Sequence, residues 1–186
     1  MSSTSSKPVR LIGLFMMIAG LLMIVAGGVT WGLVQSQLKD EHIKVAAVTD
    51  ENPGRLAGKD VAGPFTAYAQ AGAIEHHALD GAGGKTYAQL GAELSALKDK
   101  LTAAGASKEE VAADPQVMEL TATRTSTMNG SFLRASLFTS VVAFGVAALV
   151  MGLGLLFMLL GYALQRLSTT EIVAPALATG AAPAKA

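Results

Sequence analysis

Two long stretches of this chain carry no charged side chain, and they lie toward its two ends: Leu11 to Val34 and Ala135 to Leu164. About 20 apolar residues in a helix, at roughly 1.5 Å each, cross the ~30 Å hydrocarbon core of a bilayer. Both stretches meet that length. The sequence therefore predicts a mainly α protein with two transmembrane helices, 11–34 and 135–164, arranged as an antiparallel hairpin. They flank a small helical extracytoplasmic domain at 35–134. Residues 1–10 and 165–186 read as cytoplasmic tails, Ser-rich at one end and Ala/Pro/Thr-rich at the other, without hydrophobic periodicity and so without a reason to order.

The charge step across the first stretch sets an orientation. Lys7 and Arg10 precede it with no acid before them. Beyond it, Lys39 and Lys44 are offset by Asp40 and Glu41. A positive flank stays inside, so both termini are expected in the cytoplasm and the protein in the plasma membrane as a multi-pass chain. Trp31 would then lie at the outer interface. A cleaved signal peptide competes with this reading, but its apolar region runs for about 7–15 residues, shorter than Leu11 to Val34. A retained anchor fits better.

Small residues recur every seven positions in both stretches: Gly13, Gly20 and Gly27 in the first, Ser140, Ala147, Gly154 and Gly161 in the second. A seven-residue repeat keeps them on one side of a helix, where a neighbouring backbone can approach closely. They are the expected helix-packing residues, whether the second helix belongs to this chain, to another copy or to another membrane protein. Gly28 and Gly32 add a G-x-x-x-G pair. Glycine is also simply frequent in membrane helices.

The balance of 14 Lys and Arg against 14 Asp and Glu gives no basic face, which argues against nucleic acid as a partner. The absence of cysteine excludes disulfides, thiolate metal sites and cysteine nucleophiles. Between the spans the aromatic residues are Phe65, Tyr68 and Tyr87, with Phe132 at the boundary, so any core there is small and helical.

Local signals divide that segment. The run IKVAAV alternates like a short strand, and Asn52-Pro53-Gly54 marks a turn. Pro64 stands where a helix begins, and Phe65, Tyr68, Gly72, His76 and Leu79 fall on one side of that helix. Thr86 caps a second helix whose Leu90, Leu94, Leu97 and Leu101 form a stripe, expected to rest against the Phe65 helix. Ser107 and Glu110 make a capping box, Asp114-Pro115 opens another helix, and Asn129-Gly130 is expected to break or kink it.

Few constellations suggest chemistry. Glu75-His76-His77 with Asp80 is the one metal-capable cluster, with His76, His77 and Asp80 as candidate ligands. A stable zinc site takes three or four ligands, and the remaining histidine, His42, lies far along the chain. Gly84-Lys85-Thr86 resembles the end of a phosphate loop, but Leu79 occupies the position of its first glycine. It reads as a helix stop followed by a cap, so no nucleotide and no cofactor are expected. No G-x-S-x-G elbow occurs. The Asn129-Gly130-Ser131 sequon lies too near the second span to be a convincing glycosylation site.

Three segments, GKDVAGPFTAYAQA, GGKTYAQL and GSFLRASLFTSVVAFGVAALVMGLGLLF, resemble an actinobacterial family of small two-span membrane proteins of unestablished role, whose members are often automatically named "aromatic ring-opening dioxygenase LigA". The resemblance covers about a third of the chain and implies an envelope location. It carries over no catalytic residues. Ring-opening iron chemistry commonly takes two histidines and a carboxylate about an open face, and here two of the three histidines are adjacent. The residues thus favour a non-enzymatic accessory or scaffold component of the envelope, in contact with the bilayer, over a metal-binding or enzymatic anchored domain.

Overall fold

The computed structural model describes residues 7–169. It holds five helices: α1 (Lys7–Asp40), α2 (Pro64–Asp80), α3 (Tyr87–Ala103), α4 (Lys108–Ala113) and α5 (Pro115–Thr169). The two long apolar helices, α1 and α5, are antiparallel, and the three short ones lie between them in sequence. Both are long and apolar enough to cross a membrane. Only 11% of the most apolar window of α1 and 17% of that of α5 are buried, so most of each window is exposed. The disordered tails expected from sequence lie mostly outside the described residues. Where they overlap them, at 7–10 and 165–169, the chain is helical.

Burial along α1 recurs in steps of three and four: Gly13, Met17, Gly20, Ile24, Gly27, Trp31, Val34 and Leu38 are buried or half-buried, and the half-buried Met16, Ala19, Met23 and Gln35 flank that seam. On α5 the corresponding series is Leu137, Ser140, Phe144, Ala147, Met151, Gly154, Met158 and Gly161. A sustained 3.5-residue spacing keeps one seam of each helix against its neighbour and is the period of left-handed supercoiling.

The chain divides into two compact units. The first comprises the N-terminal residues to Val25 and the chain from Val150 onward. Its described residues are the outer parts of α1 and α5. The second, Ala26–Leu149, contains the rest of both long helices together with α2, α3, α4 and the loops.

Within the second unit the main core joins Leu38, Val45, Val61, Ala67, Ala71, Leu137 and Phe144, with Trp31 and Ile74 against its edge. The Trp31 and Phe144 rings meet edge to face at 4.7 Å, a geometry that aromatic quadrupoles favour. The alternating run near Ile43 is not a strand. It makes a single antiparallel bridge, Lys44 to Asp60, with the Val45 N–H donating to the Lys59 carbonyl and the Val61 N–H to the Ile43 carbonyl. One bridge is enough to bury Val45 and Val61 while Gly54 and Gly58, both at positive φ, turn the chain back.

A second cluster joins Leu94, Val111 and Val117, with Leu97, Leu101, Ala106 and Leu120 beside them. The leucine stripe of α3 therefore rests on α4 and the start of α5, not on the Phe65 helix. The reason lies in the connections. Gly105 at φ 92° ends α3, and the six-residue α4 folds straight back under it. Both capping signals read from sequence close as expected. Ser107 accepts from the Glu110 N–H while Glu110 accepts from the Ser107 N–H, and Asp114 Oδ1 accepts from the Gln116 and Val117 N–H groups to open α5.

Candidate functional site: the glycine seam and the head contacts

In the first unit, α1 and α5 meet through glycine. A Cβ built on Gly13 would lie 2.8 Å from the carbonyl oxygen of Gly161, and one built on Gly161 would lie 2.5 Å from that of Gly13. One heptad on, the same holds of Gly20 and Gly154, whose hypothetical side chains would each enter the other's carbonyl. The pairing is reciprocal and antiparallel. No side chain can be inserted at these four positions without displacing backbone. Met17, Ile24 and Met158 close around the glycines. Such proximity permits Cα–H···O contacts, which recur between closely approaching helices. Among the other small residues singled out from sequence, Gly27 and Ala147 are buried in the second unit, and Ser140 is half-buried with its hydroxyl turned to the Ser136 carbonyl at 3.4 Å. Gly28 and Gly32 lie off the seam, and a Cβ on either would meet nothing within 4 Å.

In the second unit, α2 runs beside α5. A Cβ on Gly130 would stand 3.0 Å from the Ala78 Cβ, and Ile74 is the next neighbour. This corrects the expected break at Asn129-Gly130: α5 is uninterrupted there, and the glycine supplies room for α2 to approach. Farther along, Arg134 pairs with Glu75 at 2.7 Å, and the Tyr68 ring meets the Phe138 ring at 5.8 Å. The buried face of α2 is Ala67, Gln70, Ala71 and Ala73. Of the expected stripe, Phe65, Tyr68, Gly72 and His76 point outward instead, with Phe65 80% exposed and Tyr68 63% exposed, and Leu79 is half-buried. Small residues win the inner face because only they let α2 approach the long helices this closely.

Polar groups fasten the loop to α2. Gln70, buried, accepts from the Ala46 N–H through its side-chain oxygen at 2.7 Å. The Thr66 hydroxyl accepts from the Ala62 and Gly63 N–H groups and caps the start of α2. His77 Nε2 stands 3.2 Å from the Val48 carbonyl oxygen. His76 and His77 set their rings 6.0 Å apart, edge to face, both exposed, and Asp80 is exposed at the end of the same helix. Among the described residues, no three metal-capable side chains converge.

The Gly84-Lys85-Thr86 segment is a stop and a cap. Gly83 and Gly84 both take positive φ, Thr86 accepts from the Gln89 N–H, and Lys85 pairs with Glu93 of α3 at 2.6 Å. On the other side of α3, the Arg124 guanidinium lies 3.9 Å over the Tyr87 ring, and its Nε would stand 3.1 Å from a Cβ on Gly91. Tyr87 and Gly91, one turn apart, thus form a slot for the arginine.

Sequence reasoning missed Arg124, Gln70 and the Glu75–Arg134 pair. The last left a trace, since Arg134 stands immediately before an uncharged stretch and so borders a place where an unpaired charge is expensive. Arg124 and Gln70 carry no comparable local signal. Comparison with protein-family models, with curated proteins and with solved structures gives no match.

Proposed function

We propose that this chain is a two-span membrane protein of the cell envelope, with both termini cytoplasmic, and that its hairpin presents the helical head as a non-enzymatic accessory or scaffold subunit. The observation that carries the membrane part is the outward apolar surface of α1 and α5. Phe15, Leu22, Leu33, Val142 and Leu149 are each more than half exposed along uncharged helix. A patch this extensive is covered by lipid in a two-span protein, since soluble monomers keep such patches to a few hundred Å². The orientation rests on charge. Lys7, Arg10 and Arg166 are the charged side chains among the described residues of the first unit, and all are positive, as at a cytoplasmic face. The head carries both signs.

The scaffold part rests on how the head spends its polar groups. Gln70, Glu75, Lys85, Arg124 and Arg134 each hold one segment of the head to another. The resemblance to small two-span actinobacterial proteins supports the same reading. Because the chain has no cysteine, single cysteines placed at Lys98 and at Ser168 report sidedness with an impermeant maleimide. Intact cells are expected to label the first and not the second; the reverse pattern overturns the orientation. Purification in mild detergent is expected to recover a stoichiometric envelope protein, and recovery of this chain alone counts against the scaffold role.

A further inference from the structure

The aromatic stripe of α2 faces outward: Phe65 is 80% exposed, and Tyr68, whose ring meets Phe138, is 63% exposed. We propose that this face is a membrane-interface anchor: Phe65 and Tyr68 lie in the boundary between the headgroups and acyl chains of the same bilayer that α1 and α5 cross. The inference rests on the two-span reading and adds a third element to the lipid contact.

Depth is the first argument. Arg134 and its partner Glu75 mark the last charged level on α5 before its uncharged stretch. Phe138, which the Tyr68 ring touches, lies four residues farther, or about 6 Å along the helix axis. Phe65 precedes Tyr68 by three residues and so shares its face of α2, one turn nearer the start of that helix. The beginning of α2 is therefore carried past the Arg134 level, into the zone where α5 has shed its charges.

Composition is the second argument. From Pro64 to Ile74, α2 has no charged residue, and its charges begin at Glu75. A helix half of this kind, with two large rings exposed, is poorly suited to water and well suited to an interface. Tyr offers an apolar ring and a polar hydroxyl, the amphipathic form enriched at headgroup level. The third argument is the surrounding charge. Lys39, Lys44 and Asp60 line one cavity with Val61 and Ala62, the chain that leads into α2, so ionic partners for headgroups border the segment just before Phe65. Outward aromatics continuous with the lipid-facing surface of α5, uncharged helix and nearby surface charges together select a phospholipid interface as occupant.

The test uses the full-length protein in phosphatidylcholine–phosphatidylglycerol vesicles, with one spin label each at Phe65→Cys, Tyr68→Cys, Val146→Cys and Lys98→Cys. All four positions are exposed; Tyr68→Cys gives up the ring contact to Phe138, and Phe65→Cys reports the same face without that loss. Collision with oxygen, which partitions into lipid, is compared with collision with a water-soluble nickel chelate. Labels at 65 and 68 are expected to favour oxygen, at a depth shallower than 146, while 98 favours the chelate. If 65 and 68 read like 98 while 146 reads lipid, the anchor is overturned and the spans stand. If 146 itself favours the chelate, the spans fail and the anchor with them. Labels at 65 and 68 shielded from both reagents would place protein there instead of lipid, and would also overturn the proposal.

Discussion

The two compact units of this protein close the same pair of helices by opposite means. In the first, Gly13 and Gly20 meet Gly161 and Gly154 with no side chain between the backbones. In the second, the seam is filled by Trp31, Leu38, Leu137 and Phe144, with Phe144 only 1% exposed. The difference fits the two-span reading. Lipid is as apolar as leucine, so burying leucine between two membrane helices gains little, and close backbone contact has to hold them. At the charged ends of the two stretches the loop and α2 join the same seam through Val45, Val61, Ala67 and Ala71, and there, where water borders the core, large apolar side chains gain about 25 cal/mol for each Å² they bury. The second unit also has capped short helices, a buried glutamine on a loop amide, and paired charges of both signs.

The contrast breaks most sharply where the wrong kind of side chain is tried in each unit. Phe144→Ala should destabilise the protein by about 3–5 kcal/mol in a reversible detergent unfolding series, since a buried ring is removed and α5 cannot collapse into the space. A cost below about 1 kcal/mol would mean that the second unit does not depend on filled volume. In the first unit the damaging change is addition. Gly20→Ala forces a methyl into the Gly154 carbonyl and should cost about 1–3 kcal/mol, the usual range for overpacking. Gly28→Ala, eight residues along the same helix with open space around it, should be neutral or stabilising by up to about 1 kcal/mol. Equal behaviour of the two variants would remove the glycine seam from the account.

A finer test separates the head's own fastenings. Arg124→Ala should loosen α3 from α5 at a cost of about 0.5–2 kcal/mol, the range for a cation over an aromatic ring, while leaving the first unit unchanged. Hydrogen exchange should show the loss in α3 amides and none near Gly13 or Gly161. The smallest effect concerns Glu110. The Ser107 N–H, and then the Ser107 hydroxyl, hold its carboxyl below the ordinary carboxylate range. A group whose folded-state pKa is depressed contributes stability above its unfolded pKa and loses it as the pH falls through the folded value. Protection of the Ser107 amide, corrected for intrinsic exchange, should therefore fall on acidification below the ordinary carboxylate range. Glu110→Gln, which keeps an acceptor but not the charge, should flatten that dependence.

Much of the fold was legible because its signals are local. The uncharged runs gave α1 and the apolar part of α5. Pro64, Thr86, Ser107 and Asp114 placed the helix starts, because capping needs only residues within one turn. The seven-residue spacing marked Gly13, Gly20, Gly154 and Gly161. The same reasoning failed wherever the answer depended on a distant neighbour. Asn129-Gly130 reads as a break, yet α2 presses on it and the helix continues. The Phe65 stripe reads as a core face, yet Ala67 and Ala71 take that place.

By itself, the sequence determined that two apolar helices frame a small helical head, and where α2, α3, α4 and α5 begin. Those properties depend on hydrogen bonds and transfer free energies of neighbouring residues, which composition and order specify completely. Only the tertiary structure decided which side of α2 is inner, that Gly130 is a contact and not a break, and that Arg124 lies in the slot between Tyr87 and Gly91. Each is a question of which surfaces fit at close range, and fit depends on residues far apart in the chain that one helical period cannot relate.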